Sequence, residues 1–110
     1  MSQRQWVKDQ LEECRERCRA RLEEASTAVS PVIQEHCTVL AQSTRTYMND
    51  VIDSAYERYY LFEQRASDMC REEIPEWAAY EAYLLSDIAR SIEFCEGLAE
   101  KFARLWEGLH

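Results

Sequence analysis

The sequence predicts an all-α fold, an elongated antiparallel three-helix bundle with coiled-coil-like packing, folded as one domain over residues 1–110. Three observations predict it. Glycine and proline number only two each, too few for the turns of a sheet protein. Ala, Glu, Leu, Arg and Gln, all strong helix formers, dominate the chain. Apolar residues recur at the three- and four-residue steps of one helical face.

The first helix is expected over residues 2–29. Its stripe is Val7, Leu11, Cys14, Cys18, Leu22, Ala25 and Val29. Ser30-Pro31 then reads as an N-cap followed by proline at the first helical position.

The second helix is expected over 31–73. Its stripe is Ile33, Cys37, Leu40, Thr44, Tyr47, Val51, Ala55, Tyr59, Phe62, Ala66 and Met69, with Met48, Ile52, Tyr56 and Tyr60 beside it. Two adjacent stripes make a broad apolar face, suited to a helix with two neighbours. Ser43-Thr44-Arg45-Thr46 is its weakest point, because threonine is a poor helix former.

The third helix is expected over 75–109, again opened by a proline. Its stripe is Trp77, Leu84, Ile88, Cys95, Leu98, Phe102, Leu105 and Leu109, widened by Leu85, Ile92, Ala99 and Trp106. Glu81 and Ser91 leave two gaps in it.

The helix lengths do not match. At 1.5 Å per residue they span about 42, 64 and 52 Å. Folded as two hairpins, the first helix covers the second from about residue 32 to about 58. Helices two and three then extend beyond it as a two-helix tip rich in Tyr59, Tyr60, Phe62, Met69, Trp77, Tyr80, Tyr83, Leu84 and Leu85. A large apolar set on a two-helix tip implies a binding surface, and these residue types are enriched at interface cores. The sequence therefore points to a non-enzymatic interaction module, an adaptor, subunit or assembly factor. It homodimerises or docks on a protein partner through this tip.

Charge narrows the partners. Net charge is −8. Residues 1–30 carry six basic and six acidic residues, so the excess lies entirely in residues 31–110. Such a surface repels nucleic acid and anionic lipid. Asp50, Asp53 and Glu57 share one face of the second helix, and Glu93, Glu96 and Glu100 one face of the third. The alternative reading of these rows is an acidic helical inhibitor of a nucleic-acid-binding enzyme, of the DNA-mimic or phage anti-defence type. Arg15, Arg17, Arg19 and Arg21 interleave with glutamates and read as a self-paired, solvated helix.

Five cysteines are expected to be reduced thiols in a cytoplasmic, reducing setting. Cys14 and Cys18 lie one turn apart, with Cβ atoms about 6 Å from one another, beyond the roughly 3.8 Å of an unstrained disulfide. Cys14, Cys18, Cys37 and His36 could supply a metal or redox site. The expected register sets Cys18 level with about residue 43, away from Cys37, so core packing is the preferred reading and no metal or cofactor is expected. Adjacent helical residues diverge by about 100°, so His36 and Cys37 do not form a nucleophile pair. No stretch of about 18 apolar residues exists, so no membrane contact is expected.

Overall fold

The computed structural model describes residues 3–67 and 75–109. Within them the chain forms three helices, α1 (Gln3–Thr27), α2 (Pro31–Ser67) and α3 (Pro75–Glu107). The molecule is elongated, 61 × 21 × 17 Å, and is the three-helix bundle that the apolar periodicity predicts. Met69 and the expected end of the second helix over 68–73 lie outside the described residues.

All seven stripe positions of the first helix are buried. The helix itself stops at Thr27 rather than at residue 29. Ser26 Oγ donates to the Glu23 carbonyl at 3.1 Å, and Thr27 Oγ1 donates to the carbonyls of Glu23 at 3.0 Å and Glu24 at 3.1 Å. These hydroxyls compete with the backbone for the last carbonyls. Val29 is left as a buried plug in the turn. Proline then opens α2 as predicted, and the Ile33 amide donates to the Ser30 carbonyl at 3.1 Å.

α2 runs without interruption through residues 43–46. Thr44 Oγ1 donates to the Leu40 carbonyl at 2.8 Å and Thr46 Oγ1 to the Gln42 carbonyl at 3.1 Å. Each hydroxyl is thus satisfied within the helix, which removes the local reason for a break.

The buried line of α2 differs from the predicted stripe. It runs through Cys37, Ala41, Thr44, Met48, Ile52, Ala55, Tyr59, Phe62 and Ala66. Leu40 and Tyr47, predicted to be core, are exposed. On α3 the buried line is Leu84, Ile88, Ser91, Cys95, Ala99, Ala103 and Trp106, while Leu105 and Leu109 face outward. Ser91 fills one of the two gaps. The physical reason is closeness of approach: the shared axis takes small Ala and Ser where helices come near each other, and the bulkier neighbours are turned out.

Register follows from cross-helix contacts. Arg15 reaches Asp53, and the Arg4 guanidinium lies 5.5 Å from the centre of the Tyr60 ring. α1 thus lies along α2 as far as Tyr60, close to the expected limit. Cys18 lies beside Met48 and Ile52, not level with residue 43. α3 runs parallel to α1, as the pairs Arg17–Glu96 and Arg21–Glu100 require.

Candidate interaction surface

Three helices packed around one axis leave three seams on the outside, and the side chains treat them differently. At the α1–α2 seam the Arg15 guanidinium donates to Asn49 Oδ1 at 2.7 Å and to Asp53 at 2.6 Å. At the α1–α3 seam Arg17 meets Glu96 at 2.6 Å, and Arg21 forks onto Glu100 at 2.8 and 3.0 Å while also holding Glu107. Both seams are therefore laced by arginines of α1, whose aliphatic stems cover apolar surface beneath the charge. Arg19 stays on its own helix, bridging Glu16 and Glu23.

These pairs set the electrostatics. Hydrogen bonding from Arg21, reinforced by Arg104, holds the Glu100 carboxyl down at about 2. The Glu16 carboxyl is likewise lowered by its hydrogen bond from Arg19.

The α2–α3 seam faces away from α1. It carries the Arg58–Asp87 pair at 2.7 Å and, beside Leu61 and Arg65, a run of rings. Phe62 packs on Trp77 with centroids 5.2 Å apart and on Tyr80 at 5.3 Å. Tyr80 stacks on Tyr83 at 6.3 Å, and the Arg90 guanidinium lies 5.6 Å from the Tyr83 ring centre. Farther along, Tyr47 meets Phe94 edge-on at 6.0 Å. Leu40, two turns before Tyr47, and Leu105, three turns after Phe94, continue the same face. Together with Leu61 they make an exposed apolar strip along the bundle.

Two hollows open on this strip. One, about 460 Å³, is floored by Phe62 and Leu84 and walled by Leu61, Trp77, Tyr80 and Tyr83. The other, about 490 Å³, lies between Phe94, Gly97 and Leu98. A Cβ built on Gly97 meets nothing within 4 Å. A mid-helix glycine costs about 1 kcal/mol relative to alanine, and among the described residues no contact requires one here.

The residues predicted for the aromatic tip divide into two groups. Tyr59, Phe62 and Leu84 are buried, and Tyr59 is fully enclosed. Trp77 and Leu85 are half-buried and pack against that core. Tyr60, Tyr80 and Tyr83 are exposed. Tyr80 and Tyr83 lie on the α2–α3 seam, whereas Tyr60 lies on the α1 side under Arg4. Leu40, Tyr47, Leu61, Phe94, Gly97 and Leu105 were not among the predicted site residues. The signal for them was the excess of apolar residues over what one buried stripe of α2 or α3 requires.

Cys14, Cys18 and Cys95 form a thiol layer in the core. Cys14 and Cys18 Sγ atoms are 4.0 Å apart, the Cys14 thiol donates to the Ile92 carbonyl at 3.9 Å, and the Cys95 thiol donates to the Met48 carbonyl at 3.9 Å. Hydrogen bonding to Cys14, together with burial, pushes the Cys18 and Cys95 thiols up. All four described cysteines are free thiols. Among the described residues no group of three or more His, Cys, Asp or Glu side chains is arranged to hold a metal ion. Cys37 is buried while Glu35 and His36 are exposed. Among the described residues no helix is long and apolar enough to cross a membrane.

No family model, curated protein or solved structure matches this chain.

Proposed function

We propose that this chain is a non-enzymatic protein–protein interaction module that docks through the outer face of α2 and α3, with Tyr80, Tyr83 and Trp77 as its anchoring end. One observation carries the reading: two of the three seams are laced by α1 arginines, and the third is left as an open strip of rings and leucines. An apolar strip of this kind on a small domain is a binding surface by default. Tyrosine and tryptophan supply large, stiff contact area at low entropic cost.

The alternative, an acidic inhibitor that occupies a nucleic-acid-binding groove, draws less support. Of its six row carboxylates, Asp53, Glu96 and Glu100 are already held by Arg15, Arg17 and Arg21. A carboxylate committed to an arginine is a weak mimic of a free phosphate.

Capture of the partner from the native cell tests both. Docking through the apolar strip persists at about 0.5 M salt, whereas charge mimicry collapses there, since exposed charges are then screened within a few ångströms. Tyr83→Glu on the exposed strip abolishes docking and leaves helicity intact. Retained binding by that variant would sink the proposal.

A further inference from the structure

The cations around the strip bear on what covers it. The protein carries 21 acidic residues against 13 lysines and arginines, so carboxylates are plentiful enough to engage every cation. The arginines of α1 follow that expectation: Arg15, Arg17, Arg19 and Arg21 each hold at least one. On the strip, Arg58 holds Asp87. Among the described residues, Arg65, Arg90 and Lys101, which border the two hollows, reach no carboxylate. Arg90 lies against the Tyr83 ring instead. With the Arg58–Asp87 pair set aside, the hollows are bordered by three cations and one carboxylate, Glu93. The open apolar face of an acidic protein is thus rimmed with positive charge.

The placement is also periodic. Tyr83, Arg90, Phe94, Lys101 and Leu105 follow one another at steps of seven, four, seven and four. Such steps are close to two turns and one turn, so apolar and cationic side chains alternate along one face of α3. Leu105 lies 22 residues beyond Tyr83, a length of about 33 Å.

Resting on the docking reading above, we propose that the occupant is an acidic amphipathic helix of a partner protein, its apolar stripe flanked by Asp and Glu. It lies along the α2–α3 seam as the fourth helix of a bundle. Its apolar side chains enter the two hollows, and its carboxylates meet Arg90 and Lys101, with Arg65 toward one end. The planar fork of arginine suits a carboxylate. Apolar contact holds the partner, and charge selects it. A second copy of this chain offers cations to these same cations. A nucleic acid, charged at every phosphate, is repelled at long range by a net charge of −8 and leaves Leu61 and Leu105 uncovered.

Fluorescence anisotropy with the full chain and three labelled helical peptides of about 22 residues tests this. The first peptide has a leucine stripe flanked by glutamates, the second the same stripe flanked by lysines, and the third the glutamates with serines in the stripe. The first is expected to bind roughly tenfold or more tightly than either of the others, a decade in Kd. Arg90→Glu combined with Lys101→Glu changes two exposed residues, so helicity by circular dichroism is kept while the preference moves to the lysine peptide. Tyr83→Glu weakens the first peptide. Raising salt to about 0.5 M narrows the gap between the first two peptides, and the first still binds. Equal binding of the glutamate and lysine peptides, or a preference unmoved by the charge reversal, overturns the acidic partner. So does tighter binding of an oligothymidylate of similar length, self-association of the chain that Tyr83→Glu abolishes, or no peptide binding at high micromolar concentration. In each of those cases capture from the native cell judges the docking reading by itself: a captured protein lost with Tyr83→Glu keeps it, and one retained removes it as well.

Discussion

Arg21 on the surface of α1 holds two carboxylates of α3, Glu100 and Glu107, together. Its hydrogen bond, with that of Arg104, lowers the Glu100 carboxyl from an ordinary 4.5 to about 2. A carboxyl whose folded value is depressed contributes stability above its unfolded value and loses it as pH falls toward the folded one. The window here runs from about pH 4.5 down to about pH 2. Glu100→Gln should therefore lower the melting temperature at pH 7 and match the wild type near pH 2, as thermal scans across that range would read. In the core, Leu22 is fully buried. Leu22→Ala should cost about 2–5 kcal/mol, because the cavity relaxes only partly, measurable as a fall in the urea midpoint. Loss of much less than this would mean that α1 is only loosely seated.

Each helix was legible in the sequence to a different degree. α1 has few apolar residues beyond its stripe, so Val7 through Val29 could be assigned to the core with no competing choice. α2 and α3 hold more apolar residues than one buried line can use. Size then misleads: Leu40, Tyr47 and Leu105 outrank Ala41, Ala99 and Ala103 in hydrophobicity, yet the alanines sit at the axis and the larger residues outside. Only packing geometry distinguishes them, because close approach of helices rewards small side chains. The aromatic tip was partly legible for the same reason. Tyr80 and Tyr83 are exposed there, but Tyr59 and Leu84 are buried and serve the core. Gly97 sits inside α3 with open space where its Cβ would be. Gly97→Ala should stabilise the chain by about 1 kcal/mol, read in thermal melts. A destabilised Gly97→Ala variant would point to a contact at that position that the free chain already makes.

At the scale of the whole molecule, charge and apolar surface are segregated. α1 is electrically neutral and spends Arg15, Arg17 and Arg21 on its neighbours, while the acidic excess belongs to the rest of the chain. Acid on the remaining surface gives copies of the chain a long-range mutual repulsion. Docking through the strip should consequently persist as salt is raised to about 0.5 M, since screening weakens exposed charge and leaves apolar contact untouched. Dissociation on adding salt, followed by light scattering, would contradict that ordering of forces.

The parallel alignment of α1 with α3 has a kinetic consequence. Their contacts join residues 78 to 86 positions apart in the chain, whereas the Arg58–Asp87 contact of the α2–α3 hairpin spans 29. Closing the shorter loops costs less entropy, so the α1–α2 and α2–α3 hairpins, with contacts 29 to 38 residues apart, are the natural early structures and the α1–α3 seam closes late. Native contacts of such long range slow a helical protein relative to its size. Weakening the α1–α3 seam, as in Arg17→Ala, should then accelerate unfolding while leaving the folding rate nearly unchanged. Chevron analysis would show one limb moving and the other still.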